Sequence, residues 1–474
     1  MPFMNNALQT NETEVSQNSS NRSIPKMVSS SLVLLVSLTG LLFSMQTNNM
    51  GLALFSLLFL LMLLGVPIAI SLGLASFLVI YYFTTDPLPD LAGKVFSGLN
   101  HFTLMAIPFF VLAGNIFTRG GVANRLIKLT NSWVGHIPGG LSIAGIVSCT
   151  LFAAISGSSP ATVVAIGGIM IPAMVNHGYS KSYAVGSIST AGSLGILIPP
   201  SIPMIVYAVT VEQSVGKMFL AGVIPGIMLM MLLAAVSFFI ANRKNYARAE
   251  KATYKERMIA LKNAFWSLML PVVVIGGIYS GVFTPTESAA VAVILGLVVG
   301  LWIHKDLMVK ELPSILVDSA KTTAMLFFII TMAMTFAHIL TLERIPHTIA
   351  DVITGWNVGP IMFLLIVNIL LFIAGQFMEP TAIITILAPI LFPVAVALGI
   401  DPIHFGIVMV VNMEVGMITP PVGLNLYVAS GITKMPLVDV TKSAVPWLIA
   451  VVIGLILVTY VPAISLWLPN LLYR

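Results

Sequence analysis

Two stretches decide the fold. They are Gly195-Ile196-Leu197-Ile198-Pro199-Pro200-Ser201 and, 221 positions later, Gly416-Met417-Ile418-Thr419-Pro420-Pro421-Val422. Each interrupts a long apolar run. A proline removes one amide donor and clashes with the carbonyl of the preceding turn. A proline pair beside a glycine therefore unwinds a helix locally. In hydrocarbon the freed carbonyls are costly, so unwinding survives only where protein, water or an ion satisfies them. Such oxygens suit Na⁺, and half-helix N-termini point positive ends at anions.

Other breaks keep this register, save that the first of them lies 220 positions apart. Ser159-Pro160 matches Glu379-Pro380, Ile171-Pro172 matches Phe392-Pro393, and Gly178 matches Gly399. Upstream, Pro67 and Pro285 occupy corresponding places. Similar apolar composition does not generate a repeated Gly-x-x-x-Pro-Pro in step with two further proline pairs. The chain reads as two repeats, 51–242 and 266–474, preceded by 1–50 and joined by a basic amphipathic linker at 243–265.

Composition sets the solvent. Of 474 residues 58% are hydrophobic and 8% charged, with a mean hydropathy of +1.02. A soluble domain carries about 25% charged residues. This is an all-α, polytopic membrane protein, because unbroken runs such as 51–83 do not fit the alternating strands of a barrel. One cysteine, Cys149, excludes disulfide frameworks and cysteine-based metal sites. The +5 net charge equals the excess at 243–265, where seven basic residues face Glu250 and Glu256. That pattern is a cytoplasmic loop, not a nucleic-acid surface.

Residues 1–27 read as a polar disordered tail. Ser30–Met45 reads as an uncleaved helix; a signal peptide is disfavoured because no small-x-small site follows. Gly65-Val66-Pro67 divides 51–83 into two segments. Further apolar runs are 103–118, 182–209, 217–242, 267–284, 288–304, 321–342, 403–430 and 441–467. Basic loops at 119–128, 243–262 and 305–321 belong inside, and the acidic loops at 84–90, 211–215 and 281–287 outside. The alternation closes only if 138–175 and 357–397 are re-entrant hairpins. The repeats are then inverted, with the N-terminus inside and the C-terminus outside. Residues 88–101 and 307–320 read as matching interfacial helices.

The first hairpin tip reads Ala154-Ile155-Ser156-Gly157-Ser158-Ser159-Pro160, and three hydroxyls around a glycine can coordinate a cation. A Ser-rich packing seam would look alike, but the neighbouring Gly192-Ser193-Leu194-Gly195 break favours the ion. The second tip, Gly375-Gln376-Phe377-Met378-Glu379-Pro380, faces Asn412, Glu414 and Thr419. An intramembrane carboxylate is a functional candidate. Glu379 can cap the helix after Pro380 and bind an ion as well. Glu414 ranks below Asn412 and Thr419 because it can simply pair with a neighbour. No P-loop motif is present, and the seven histidines show no metal spacing. His338, within a span, reads as a packed histidine rather than a proton carrier. An intramembrane serine protease lacks a suitable histidine, so the chain is not read as an enzyme.

These motifs resemble the large membrane subunit of tripartite ATP-independent periplasmic (TRAP) transporters. The matching pieces are Ser156–Ala161, Gly195–Ser201, Glu287-Ser288-Ala289-Ala290, Glu379-Pro380, Asp401-Pro402-Ile403-His404-Phe405-Gly406 and Thr419-Pro420-Pro421-Val422-Gly423. The resemblance runs from about residue 50 to the C-terminus. Residues 1–50 depart from the family pattern, and the added helix at 30–47 looks like the connecting helix seen where small and large subunits are fused, notably in sialic acid systems. The resemblance implies sodium-coupled uptake through the inner membrane by an elevator mechanism, with Na⁺ as coupling ion and no other cofactor. It implies three partners: a small four-helix membrane subunit, a periplasmic binding protein and a carboxylate substrate. Sialic acid is the expected substrate and a C4-dicarboxylate the runner-up. One sodium site would comprise Ser156, Ser158, Ser159, Gly192 and Gly195. The second would comprise Met378, Glu379, Asn412, Gly416 and Thr419. Substrate would sit between the tips, near Gly157, Ser193, Pro200 and Pro420. A stand-alone divalent-anion/sodium symporter and a non-transporting respiratory subunit are the alternatives.

Overall fold

The computed structural model describes residues 37–84, 88–345, 348, 351, 355 and 358–472, which contain helices and no strand. The 1–27 tail, the start of the 30–45 helix, residues 85–87, His347 and the first residue of the 357–397 hairpin lie outside them. Among the described residues, eight helices are long and apolar enough to cross a membrane. Two compact units emerge. One holds the described residues up to 95 with 332–345; the other holds 96–331 and those from 348 onward.

In the first unit, residues 37–47 are helical. Helices α1 (Met50–Leu63) and α2 (Ile68–Phe83) follow, separated at Gly65 and Pro67 as the sequence requires. Asn49 caps α1 by accepting from the Leu52 amide at 2.9 Å. Phe55 packs edge-on against Phe336, and Gly73 lies against Met332.

Helix α3 (Leu88–Leu99) leads into the second unit. There, α4 (Ala106–Arg119) and α5 (Val122–Val134) precede the first hairpin, α6 (Gly140–Ser156) and α7 (Ser159–Asn176). The broken helix follows as α8 (Lys181–Ala191) and α9 (Ile202–Thr210), then α10 (Val215–Arg243). The second series is α11 (Tyr254–Tyr279), α12 (Pro285–Val298) and α13 (Leu312–Leu342), the last running into the first unit. The second hairpin is α14 (Pro360–Gly375) and α15 (Pro380–Ala397). Its broken helix is α16 (Pro402–Met417) and α17 (Leu424–Thr433), and α18 (Leu437–Tyr460) and α19 (Ala463–Leu472) close the chain.

Burial sorts these helices. Every residue of α16 from Ile403 to Met417 is buried, whereas α10 and α14 show Phe239, Ile361 and Ile373 outward. An apolar helix buried all round is central, and one apolar on an exposed face suits lipid. Two expectations shift. Helix α11 starts at Tyr254, so part of the basic linker is continuous with the span; a Thr253–Glu256 capping box sets that start. Residues 307–320 are not a separate interfacial helix, because α13 runs unbroken from Leu312.

Candidate functional site

At the first tip, Gly157 turns the chain with φ of +58°, the left-handed region that glycine enters freely. The turn is closed by its own hydroxyls. Thr162 Oγ1 donates to the Ser158 carbonyl at 2.8 Å, and Ser156 Oγ lies 3.1 Å from Thr162 Oγ1. The tip then docks on the first break. A Cβ on Gly157 would stand 2.8 Å from the Pro200 carbonyl oxygen, and one on Gly195 2.6 Å from that of Ser158.

The second tip repeats the arrangement. Gly375 and Gly416 meet backbone to backbone: a Cβ on Gly416 would lie 2.7 Å from Gly375 Cα. The Val422 amide donates to the Gln376 carbonyl at 3.1 Å. Glu379 caps α15, accepting from the Thr381 amide at 2.9 Å, from the Ala382 amide at 3.3 Å and from the Thr381 hydroxyl. Capping leaves Glu379 able to hold an ion with its other oxygen. Both proline pairs contain cis peptides, Pro199-Pro200 and Pro420-Pro421.

A cavity of about 290 Å³ gathers Ser156, Gly157, Ser158 and Ser159 from one tip with Glu379 and Thr381 from the other. Asn115, Thr322 and Met417 are also among its lining residues. Gly192, Ser193, Gly195, Pro200, Met378, Asn412, Gly416, Thr419 and Pro420 are not in that lining. Ser193 is fully buried, with its hydroxyl donating to the Thr190 carbonyl at 2.8 Å. Thr419 Oγ1 donates to the Val415 carbonyl at 2.6 Å, which leaves its lone pairs free to accept.

Three groups were not singled out in the sequence. Asn425 accepts from Ser159 Oγ at 2.9 Å and donates to the Ser189 carbonyl at 3.3 Å, tying the first tip to α17 and α8. Its only sequence signal is an amide inside an apolar run after the break. Asn115 Nδ2 donates to Ser319 Oγ at 2.8 Å beside the cavity. Asn368 on α14 accepts from Asn412. Glu414 is fully buried, and among the described residues neither carboxyl oxygen has a hydrogen-bond partner; the same holds for Asn412 Oδ1.

A larger cleft of about 920 Å³ lies at the basic loops, lined by Arg125, Lys128, Lys262, Trp266, His304 and Asp306 among others. It contains no tip residue, and Arg125 is paired with Asp306 there. Burial, with Arg125 adding to it, holds His304 below the usual histidine range. What singles out the tip cavity is not size but that it is the more enclosed of the two and is lined by residues of both hairpin tips.

Known proteins share this architecture. Residues 55–464 match the family model described as tripartite ATP-independent periplasmic transporter, DctM component. The C4-dicarboxylate TRAP transporter large permease protein of Rhodobacter capsulatus is 52% identical over 89% of this chain and 99% of the relative. Its namesake in Pseudomonas aeruginosa is 55% identical over 84% and 94%. Among solved structures, the Alcanivorax borkumensis YdaH transporter superposes with a TM-score of 0.57 at 15% identity, over 80% of this chain and 87% of that one.

Proposed function

The chain belongs to the DctM component family of tripartite ATP-independent periplasmic transporters, and from that premise we propose that it takes up a C4-dicarboxylate driven by Na⁺. As a large permease it is a multi-pass protein of the bacterial inner membrane and a transporter subunit, not an enzyme. The single observation behind the mechanism is the cavity onto which both tips open. The proposed roles are as follows. Ser156, Ser158, Ser159, Gly192 and Gly195 supply oxygens for one Na⁺. Met378, Glu379, Asn412, Gly416 and Thr419 do so for a second. Substrate lies between them, where Gly157 meets Pro200 and near Ser193 and Pro420. The donors fit the ion, because hydroxyl, amide and main-chain oxygens are hard ligands, and the Asn412 side-chain oxygen is buried without a partner among the described residues.

In this reading a periplasmic binding protein delivers the substrate, a small membrane subunit braces the large one, and the unit bearing both tips moves as an elevator. The C4-dicarboxylate takes precedence over sialic acid because relatives so named reach 52% and 55% identity. The sialic acid expectation rested on an N-terminal helix that is described only from residue 37.

Proteoliposomes holding both membrane subunits test this. Succinate uptake is expected only with binding protein and an inward Na⁺ gradient, with no competition from sialic acid. Uptake without binding protein would select a stand-alone symporter. Uptake indifferent to Na⁺ would remove the coupling.

A further inference from the structure

The second ion site contains an amide whose orientation is set by a residue outside it. Asn412 is fully buried on α16. Its Nδ2 donates to the main-chain oxygen of Asn368 at 3.0 Å and to the side-chain oxygen of Asn368 at 2.8 Å. Asn368 lies on α14, about two turns before the tip at Gly375. Its own Nδ2 donates to Thr459 Oγ1 on α18 at 3.0 Å. A main-chain carbonyl can only accept, so the nitrogen of Asn412 must face α14. Turning the amide over would set its oxygen against two acceptors. Its oxygen is therefore held on the far side, buried, with no partner among the described residues.

We infer that Asn368 is a positioning residue for the coupling ion: it consumes both donors of the Asn412 amide and so presents a bare carbonyl oxygen to Na⁺. This rests on the assignment of Asn412 to the second Na⁺ site. The arrangement has no counterpart in the first half, because position 191, which corresponds to Asn412, is alanine. The two halves thus differ in chemistry where they agree in backbone. Thr459 on α18 accepts from the remaining amide nitrogen of Asn368, and its hydroxyl suits either orientation of that amide.

The test is Na⁺-dependent thermal stabilisation of the purified full-length chain, with Li⁺ and K⁺ as counter-cations. It reads binding without transport. Asn368→Leu keeps the main-chain acceptor and loses the side-chain one. The half-saturating Na⁺ concentration should rise roughly tenfold, the scale of one oriented hydrogen bond. Asn368→Asp keeps an acceptor toward Asn412 and should stay within about threefold of wild type. Asn412→Ala provides the reference. If Asn412→Ala leaves the Na⁺ response intact, the ion assignment fails. If Asn412→Ala weakens it while Asn368→Leu does not, the positioning role is overturned and the ion assignment stands. Should Asn368→Leu not fold, Asn368→Ser, whose side chain is too short to reach the Asn412 amide, decides: a tenfold rise in the half-saturating Na⁺ concentration supports the role, and a wild-type response overturns it.

Discussion

At Gly195 and Gly416 the hydrogen that replaces a side chain is what allows two backbones to meet. The neighbours are a carbonyl and an α-carbon, which cannot swing aside as a long side chain would. Alanine at either position would sit 2.6–2.7 Å from main-chain atoms. Overpacking of this kind costs about 1–3 kcal/mol, so each variant should melt several degrees below the parent. Gly276, in α11, is the control, because a Cβ there meets nothing within 4 Å. Helix propensity alone makes Gly276→Ala neutral or stabilising, by up to about 1 kcal/mol. Thermal unfolding of the three variants checks the contrast; equal effects would mean that the close approaches do not matter. Both glycines were visible in the sequence by register, but their partners were not. Nothing local in Gly195 says that Ser158 lies across from it.

The second tip hangs on one cap. Glu379 accepts from two amides and one hydroxyl at the start of α15. Glu379→Gln retains a carbonyl acceptor and removes the charge. It should keep the unfolding temperature within a few degrees while raising the Na⁺ requirement. Glu379→Ala also loses the cap, typically worth about 1 kcal/mol, and should lower the unfolding temperature as well as raise the Na⁺ requirement. Calorimetry beside Na⁺-titrated uptake separates the two effects; a Gln variant with unchanged Na⁺ dependence would reduce Glu379 to a cap. Most elements were legible because prolines and glycines act locally. The break at 65–67, both tips and both proline pairs fall where the residues put them. Helix lengths were less legible. Thr253 and Glu256 start α11 within a stretch whose charge suggested a separate surface helix. The π-turn at Val163–Gly167 left no recognisable sign in a uniformly apolar segment. The contacts of Asn368 and Asn425 depend on residues 44 and 266 positions away, beyond the reach of any periodicity.

For the whole molecule, charge balance makes the proposed stoichiometry measurable. Two Na⁺ carried with a dianionic C4-dicarboxylate move no net charge. A third ion would add one, worth about 2.3 kcal/mol per 100 mV, which is roughly 50-fold in accumulation. With two sites, imposing an inside-negative potential with valinomycin and K⁺ should leave steady-state dicarboxylate accumulation unchanged within about twofold. A many-fold rise would show that the two ion sites named here are incomplete, and buried Glu414 would be the first residue to examine. One bond described above has a reach that spans both halves of the sequence. Ser159, in the first hairpin, is fastened to Asn425, which follows the second proline pair. An event that loosens one end is felt at the other, and thermodynamic reciprocity makes the influence equal in both directions. In the proposed scheme the two halves are therefore expected to bind Na⁺ in concert, and a Hill coefficient of one in Na⁺-titrated uptake would show that this bond carries no such coupling.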